Sequence, residues 1–249
     1  MLRSIAILTL CLSTVTAQAA LLGRAALTPG GTDYQAYYDD VLGITWLADP
    51  NYAATETFGV AGIGLGSPGR MVWTTANTWI AAMNSDGYLG VREWRLPSVV
   101  DTGSLGCDFG YAGTDCGFNV DSVSSELGHL YYTTLGNIAS FNTSGVQQPC
   151  LGGPAPYPSY CLSNAGPFSS LLSLQPGQWW SGTEYAPDSS TAWRFYLYDG
   201  SQGNDSKGAG YYAWAVTDGD ALAVVPIPPA VWLFGSALGV MGWMRRKAM

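Results

Sequence analysis

The stretch Trp73–Pro97, WTTANTWIAAMNSDGYLGVREWRLP, carries the clearest secondary-structure signal in the chain. Apolar residues recur along its first half at the spacing of one helix face, at Trp73, Ala76, Ile80 and Met83. Thr74 or Thr75 is the predicted N-cap, and Asp86-Gly87 is the predicted end. We therefore predict one amphipathic α-helix in this stretch.

The same stretch closes with the motif Trp94-Arg95-Leu96-Pro97. Pro97 fixes a turn and biases Leu96 toward an extended conformation. We expect Trp94 and Leu96 to bury apolar area, and Arg95 to pair with a carboxylate or to donate to loop carbonyls. The motif is thus expected to hold the fold rather than to bind a ligand.

A second, shorter helix is predicted from Ser124 or Ser125 through Leu135. Its inner face is predicted to consist of Leu127, Leu130, Tyr131 and Thr134. His129, the single histidine, is expected to lie off this apolar face, as a surface or helix-packing residue.

The rest of the body predicts short strands and loops. The segment Tyr34–Leu47 is typical of a short hairpin, and the Gly-rich residues 53–69 predict a long loop. The aromatic runs Trp193–Tyr198 and Tyr211–Val216 are predicted to pair as the arms of a long hairpin. Two helices with several short strands favour the α+β class.

The first residues have the order of charge, apolar run and small residues that marks a signal peptide. Arg3 supplies the charge, residues 5–12 the apolar run, and Ala17-Gln18-Ala19 the cleavage pattern. A buried N-terminal helix is the alternative, but the run is short for a membrane span. We expect residues 1–19 to be removed on export.

Charge is distributed unevenly along the chain. All 18 acidic residues lie between Asp33 and Asp220, whereas four of the 10 basic residues lie in the terminal segments. Six basic residues remain in the body, which therefore carries a formal charge of −12. Such a body is poorly suited to bind nucleic acid, because that requires a basic surface. It is equally unsuited to adsorb directly to anionic lipid.

Four cysteines remain once Cys11 has left with the signal peptide. An even number is typical of disulfides in an oxidising compartment. Of the three possible pairings, the one that closes two short local loops is favoured, namely Cys107–Cys116 and Cys150–Cys161. A metal site is the alternative, but no Cys-x-x-Cys occurs and the single histidine is not suitably spaced.

No motif nominates a catalytic residue, because the sequence contains neither Gly-x-Ser-x-Gly nor His-Glu-x-x-His. Acidic residues and asparagine cluster late in the body and offer oxygen ligands for calcium, at Asp199, Asn204, Asp205, Asp218 and Asp220. Such clusters are also typical of turns. We therefore predict no resident cofactor, with calcium as the alternative.

The C-terminal segment is apolar and ends in a basic cluster. Residues 221–244 carry no charge and are numerous enough to span a bilayer as a helix. The positive-inside rule keeps the following basic residues on the cytoplasmic side, namely Arg245, Arg246 and Lys247. Prolines break regular structure just before the span and leave it accessible to a protease, at Pro226, Pro228 and Pro229.

The body resembles the Lcl C-terminal domain family, a group of bacterial exported domains of unknown function. The matching segments are Asp40–Trp46, Trp73 with Ala76, Gly90 with Trp94–Pro97, Trp180-Ser181-Gly182-Thr183, and Trp193–Gly200. The resemblance implies a C-type-lectin-like α+β fold. From the residue types themselves, we expect a structural role for the residues of the family motifs, which are Trp46, Trp73, Trp94, Arg95, Leu96, Pro97, Trp180, Ser181 and Trp193.

The tail resembles the PEP-CTERM sorting signals of Gram-negative bacteria that make exopolysaccharide, in their VPLPA-type variant. The match begins at Val225 and runs to Ser236. It implies recognition by an exosortase, followed by release or attachment at the cell surface.

The expected organisation is thus a signal peptide over residues 1–19, a body over 20–224 and a sorting segment with a transmembrane helix over 225–249. We expect a non-enzymatic protein of the surface or extracellular matrix, which touches the inner membrane at least transiently and whose body interacts with polysaccharide or another envelope component. The alternatives are an exported enzyme that acts on envelope glycans and a permanently anchored single-span protein.

Overall fold

The computed structural model describes residues 20–103, 110–111, 115–120, 122–150, 161–174 and 176–223. This part of the chain has the predicted α+β architecture, with two antiparallel sheets and few helices. Within these residues, no helix is long and apolar enough to cross a bilayer. The predicted signal peptide and the predicted transmembrane segment from residue 225 onward lie outside the described residues.

The first sheet has four strands in the order β1-β2-β3-β7, with β1 at Leu21–Ala26, β2 at Tyr34–Asp39, β3 at Ile44–Leu47 and β7 at Val216–Asp218. Strands β2 and β3 form the predicted hairpin, in the register Tyr37 opposite Trp46. Strand β7 pairs antiparallel with β3, so the last strand of the body joins the first hairpin. An ion pair between Arg24 of β1 and Asp220, at 2.6 Å, adds a further link between the two ends of the body.

The second sheet has three strands in the order β4-β5-β6, with β4 at Gln178–Glu184, β5 at Thr191–Tyr196 and β6 at Ser201–Ser206. The prediction that Trp193–Tyr198 pairs with Tyr211–Val216 is wrong, because β5 turns back at once and pairs with β6. The segment 211–216 instead runs between the sheets. Tyr211 bridges to Met71, Tyr212 to Trp179, and Val216 to Arg95. The polar sequence of β6, SQGNDS, concealed the correct partner.

Helix α1 spans Trp73–Asp86 and buries Ala76, Trp79, Ile80 and Met83. Its predicted end is confirmed, since Gly87 adopts a left-handed conformation with φ 71° and donates its N–H to the carbonyl oxygens of Met83 and Asn84. Its predicted N-cap, Thr74 or Thr75, is wrong by two or three residues. Val72 precedes the first turn, and no side chain caps it.

The second helix is confirmed and consists of two unlike parts. One α-helical turn, α2, spans Glu126–Gly128 and is capped by the Ser125 hydroxyl, which accepts from the Gly128 N–H. A wider π-helical segment continues over His129–Thr134. All four predicted inner-face residues are buried, namely Leu127, Leu130, Tyr131 and Thr134.

The core is unusually aromatic. Six tryptophan side chains are fully buried, at positions 46, 79, 179, 180, 193 and 214. A buried indole N–H needs an acceptor, and seven of the eight tryptophans in the described residues donate to a carbonyl or carboxylate oxygen. Trp46, which packs against Trp214 with ring centroids 4.9 Å apart, is the exception.

Cys150 and Cys161 form the predicted disulfide, with their Cα atoms 4.9 Å apart. Cys116 is also disulfide-bonded. Cys107 lies outside the described residues, so its pairing with Cys116 stays a prediction.

Candidate functional site

Arg95 of the Trp94–Pro97 motif joins three parts of the chain. Its guanidinium forms two hydrogen bonds of 2.7 Å with the Glu126 carboxylate at the start of α2. It also donates to Asp218 at the end of β7, at 2.5 Å. These contacts raise the pKa of Arg95, chiefly through the hydrogen bonds to Glu126. Arg95 thus pairs with carboxylates, one of the two contacts that the sequence analysis expected of it.

The other family-motif residues also serve the core. Trp46, Trp180 and Trp193 are fully buried, and Trp94 and Leu96 nearly so. Ser181 is buried as well, and its hydroxyl accepts from the Thr183 N–H while its carbonyl accepts from the Trp73 indole. These motif residues therefore occupy packing positions in the described part of the chain.

The acidic residues singled out for calcium are dispersed rather than convergent. Asp218 pairs with Arg95, Asp220 pairs with Arg24, and Asp205 accepts from the Tyr211 hydroxyl at 2.5 Å. Asp199 accepts from the backbone and the hydroxyl of Ser201. Among the residues in view, no group of three or more His, Cys, Asp or Glu side chains is placed to hold a metal ion.

His129 is buried, with 8% of its surface exposed, so of the two expected roles the surface one is wrong and the helix-packing one fits. The histidine packs within the helix environment, and its Nε2 atom finds no hydrogen-bond partner.

One face of the second sheet carries polar and aromatic side chains that are only partly buried. Arg194 on β5 stands opposite Trp180 on β4, and Gln178 stands opposite Tyr196. Directly opposed residues of antiparallel strands share a face, so Gln178 lies diagonally beside Arg194. The Arg194 guanidinium lies over the Tyr196 ring, 4.4 Å from its centroid. We call Gln178, Arg194 and Tyr196 the Arg194 face.

Two members of the Arg194 face have buried polar atoms without partners. The Nε and Nη1 atoms of Arg194 and the Oε1 atom of Gln178 are enclosed and form no hydrogen bond. Within the described chain, no carboxylate forms an ion pair with Arg194, whereas Arg24 and Lys207 each have one and Arg95 has two. A buried donor or acceptor without a partner is costly and is uncommon in native proteins.

The positive charge of Arg194 acts on the pKa of two neighbouring residues, Tyr198 and Asp199. Burial is the main influence on Asp199 and raises its pKa, whereas hydrogen bonds from Ser201 and the charge of Arg194 act in the opposite direction. Burial likewise raises the pKa of Tyr198 to about 12, again with Arg194 opposing. Arg194 is therefore a charged group within electrostatic reach of the β5–β6 turn.

The sequence analysis missed the Arg194 face, although a signal was present. Residues 191–198 alternate, with Trp193, Phe195 and Leu197 buried and Arg194 and Tyr196 only partly buried. Alternation in a strand separates two faces. The alternation therefore places Arg194 on the face opposite Trp193 and Phe195. The sequence could not show that the residues around Arg194 leave its Nε and Nη1 atoms without hydrogen-bond partners.

The predicted sorting residues lie outside the described residues, and they stay predictions. They are Val225, Pro226, Pro228, Pro229, Arg245, Arg246 and Lys247.

No curated protein and no solved structure matches the chain significantly. One family model does match, the Lcl C-terminal domain, over residues 35–217. The matched range begins in β2 and ends in β7, so it contains both sheets and both helices apart from β1. The chain belongs to the Lcl C-terminal domain family.

Proposed function

We propose that this is an exported, exosortase-sorted protein of the cell surface or extracellular matrix of a Gram-negative bacterium. Its body binds polysaccharide of the envelope and performs no catalysis. The observation that carries the binding part of the proposal is the Arg194 face, where a cation, an amide and an aromatic ring lie together with unpaired polar atoms.

The chemistry of the Arg194 face suits a sugar. A pyranose presents hydroxyl groups that both donate and accept, together with an apolar C–H surface. Arg194 offers the donors of Nη2, the guanidinium nitrogen that is not enclosed, and the Tyr196 ring beside it offers an apolar surface with a polar tip. Recognition of this kind requires no metal ion, which agrees with a proposal that includes no cofactor.

The C-type-lectin-like fold is part of the proposal. It is supported by family membership and by the α+β architecture with two short antiparallel sheets. In this chain, the acids that a calcium-dependent sugar site would need are engaged with Arg24, Arg95, Ser201 and Tyr211.

Binding is tested with protein purified from an exporting host, on an array of neutral and acidic bacterial polysaccharides. Tyr196→Ala should weaken retention about 3- to 10-fold, since an aromatic contact is typically worth about 0.5–1.5 kcal/mol. Tyr38→Ala, which removes a partly buried tyrosine from the first sheet, is the matched control and should bind as the unmodified protein does. Release of reducing ends from the polysaccharide, without stable retention, would instead favour the enzyme alternative.

Sorting is tested by mass spectrometry of the protein from its native host. We expect a mature chain that runs from Ala20 to near Val225. Replacing Arg245, Arg246 and Lys247 with serine should impair retention and sorting, because these charges cost about 2.5–3.5 kcal/mol each on insertion scales and resist translocation. A mature pool that keeps the C-terminal peptide through Met249 would contradict sorting and leave the permanent anchor.

A further inference from the structure

We infer that residues 220–223, which we call the junction segment, must leave the body before the tail is cut near Val225, and that the ion pair between Arg24 and Asp220 determines how often they do. This inference concerns the regulation of the predicted sorting site, so it rests on the proposed sorting. It does not depend on the proposed polysaccharide binding.

The junction segment begins where the last strand of the body is fastened to the first sheet. Just before it, the Gly219 N–H donates to the Gly43 carbonyl at 2.8 Å, and the Gly219 carbonyl accepts from the Thr45 hydroxyl at 2.7 Å. The Asp220 carboxylate then accepts from Nε and Nη2 of Arg24, at 2.6 and 2.7 Å. The chain is thus attached in succession to the β2–β3 turn, to β3 and to β1.

The second half of the junction segment is held by packing and by a turn. The Leu222 side chain is half-buried and packs against the main core. The Ala223 N–H donates to the Asp220 carbonyl at 3.1 Å. Contacts with the body therefore continue almost to Val225, the predicted site of the cut.

The predicted cut lies too close to these contacts to be independent of them. Two residues span at most about 7 Å, so a protease that cuts near Val225 works beside Ala223. Proteolysis takes place at exposed, loosely held backbone, because a protease binds several residues on each side of the bond in an extended form. A cut near Val225 places Leu222 and Ala223 among those bound residues, so their contacts with the body must be broken first.

Among the contacts of the junction segment, the ion pair is the one between formal charges. Both carboxylate oxygens of Asp220 are bonded by one guanidinium, which is a strong geometry. The Arg24 and Asp220 side chains are 19% and 28% exposed, so water weakens the pair only in part. Arg24 stays on β1, which is paired with β2, when the segment leaves. Opening is therefore a local event whose free energy depends on this pair.

The junction segment also has an open side. A cavity of about 560 Å³ lies beside the ion pair and is lined in part by Arg24, Asp220 and Ala223. No element of the described chain fills this space, so the segment can leave the body without the displacement of a strand or helix.

The first experiment measures how often the junction segment opens. The full chain is expressed in an exporting host without a sorting enzyme, purified in detergent and treated with elastase, and mass spectrometry follows cuts between Ala223 and Val225. Asp220→Asn and Arg24→Gln should each speed these cuts about 3- to 10-fold, because the rate follows the population of the open form. Cuts within β5 require larger unfolding and should remain far slower in every variant.

Controls separate the ion pair from its single charges. Arg24→Asp combined with Asp220→Arg should cut more slowly than Arg24→Asp alone, because the pair is restored with its charges exchanged. Arg92→Gln and Asp86→Asn make the same changes in net charge at exposed positions, and should be cut as the unmodified protein is. Equal rates for Asp220→Asn and the unmodified protein would overturn the inference, and so would a charge exchange that restores nothing.

The second experiment follows sorting itself in the native host. Pulse-labelled Asp220→Asn chain should lose its C-terminal segment about 3- to 10-fold faster than the unmodified chain. An unchanged rate would overturn the inference, because release of the junction segment would then not limit the cut. A slower rate would overturn it too, since the sorting enzyme would then recognise the ion pair. An unmodified chain that is never cut would refute the proposed sorting, whereas the elastase rates would still decide whether the ion pair holds the segment.

Discussion

At the scale of single residues, Arg95 shows how one side chain can fasten distant parts of a small fold. The Arg95 side chain is 33% exposed, and the Glu126 side chain is more deeply buried, with 14% exposed. The Glu126 carboxylate also accepts from the Ser98 N–H at 2.7 Å. Losing the arginine would leave this carboxylate largely desolvated without its cation.

We therefore expect Arg95→Met to lower the free energy of unfolding by about 2–3 kcal/mol, somewhat less than for a fully buried pair because Arg95 is partly exposed. Urea denaturation measures the change. Arg92→Met removes an exposed arginine whose guanidinium, among the described residues, donates hydrogen bonds only to the carbonyls of Asn84 and Ser85, and should cost less than about 1 kcal/mol. Equal costs for the two variants would contradict the role of Arg95.

Asp199 gives a second prediction at this scale, which concerns pH. Burial raises the pKa of Asp199 in the folded protein, so its contribution to stability is fully present below the unfolded pKa and is lost as the pH rises through the folded pKa. Asn can accept the same bonds from Ser201 without a charge. Asp199→Asn should thus be more stable than the unmodified protein at neutral pH, with the difference shrinking in acid. Chemical denaturation at several pH values checks this, and a difference that grows in acid would refute it.

At the scale of elements, the C-terminal end of α1 and the β2–β3 hairpin were predictable because each is specified by neighbouring residues. The end of α1 follows from Asp86-Gly87, and the β2–β3 hairpin follows from a β-prone run on each side of a turn. Strand β6 was not predictable, because SQGNDS has low β propensity and is held in place by its neighbour β5. The same limit applies to the Arg194 face, which depends on which residues oppose one another across β4 and β5.

The end of α1 can be tested directly. Gly87→Ala places a Cβ in the left-handed region, and should cost about 1 kcal/mol of unfolding free energy. The new Cβ would also approach the Arg92 guanidinium at 2.9 Å, but that side chain is free to move. Gly208→Ala serves as control. Gly208 is exposed, and a Cβ there would meet only the Ser206 hydroxyl at 3.6 Å, so its cost should stay within about 0.5 kcal/mol.

At the scale of the whole molecule, the Cys150–Cys161 disulfide closes a loop across a sequence separation of 11 residues. In the chain-entropy model, a loop of this size contributes roughly 2–3 kcal/mol. Replacing both cysteines with alanine should therefore lower the free energy of unfolding by about that amount. If Cys107 and Cys116 are also paired, intact and reduced masses of the unmodified exported protein should differ by four hydrogens. Four free thiols in the exported protein would refute both pairings.

The pairing of β3 with β7 delays completion of the first sheet during synthesis of each new chain. Ile44 lies opposite Asp218, so the partner of β3 is synthesised 174 residues later. At about 5–20 residues per second, this takes roughly 10–35 s. Throughout that interval the edge of Ile44–Leu47, an apolar strand that ends up wholly buried, is open to wrong partners. A chain that is held unfolded until its last strand has been made avoids this exposure, which gives a protein of this topology a kinetic reason to fold only after it has been delivered.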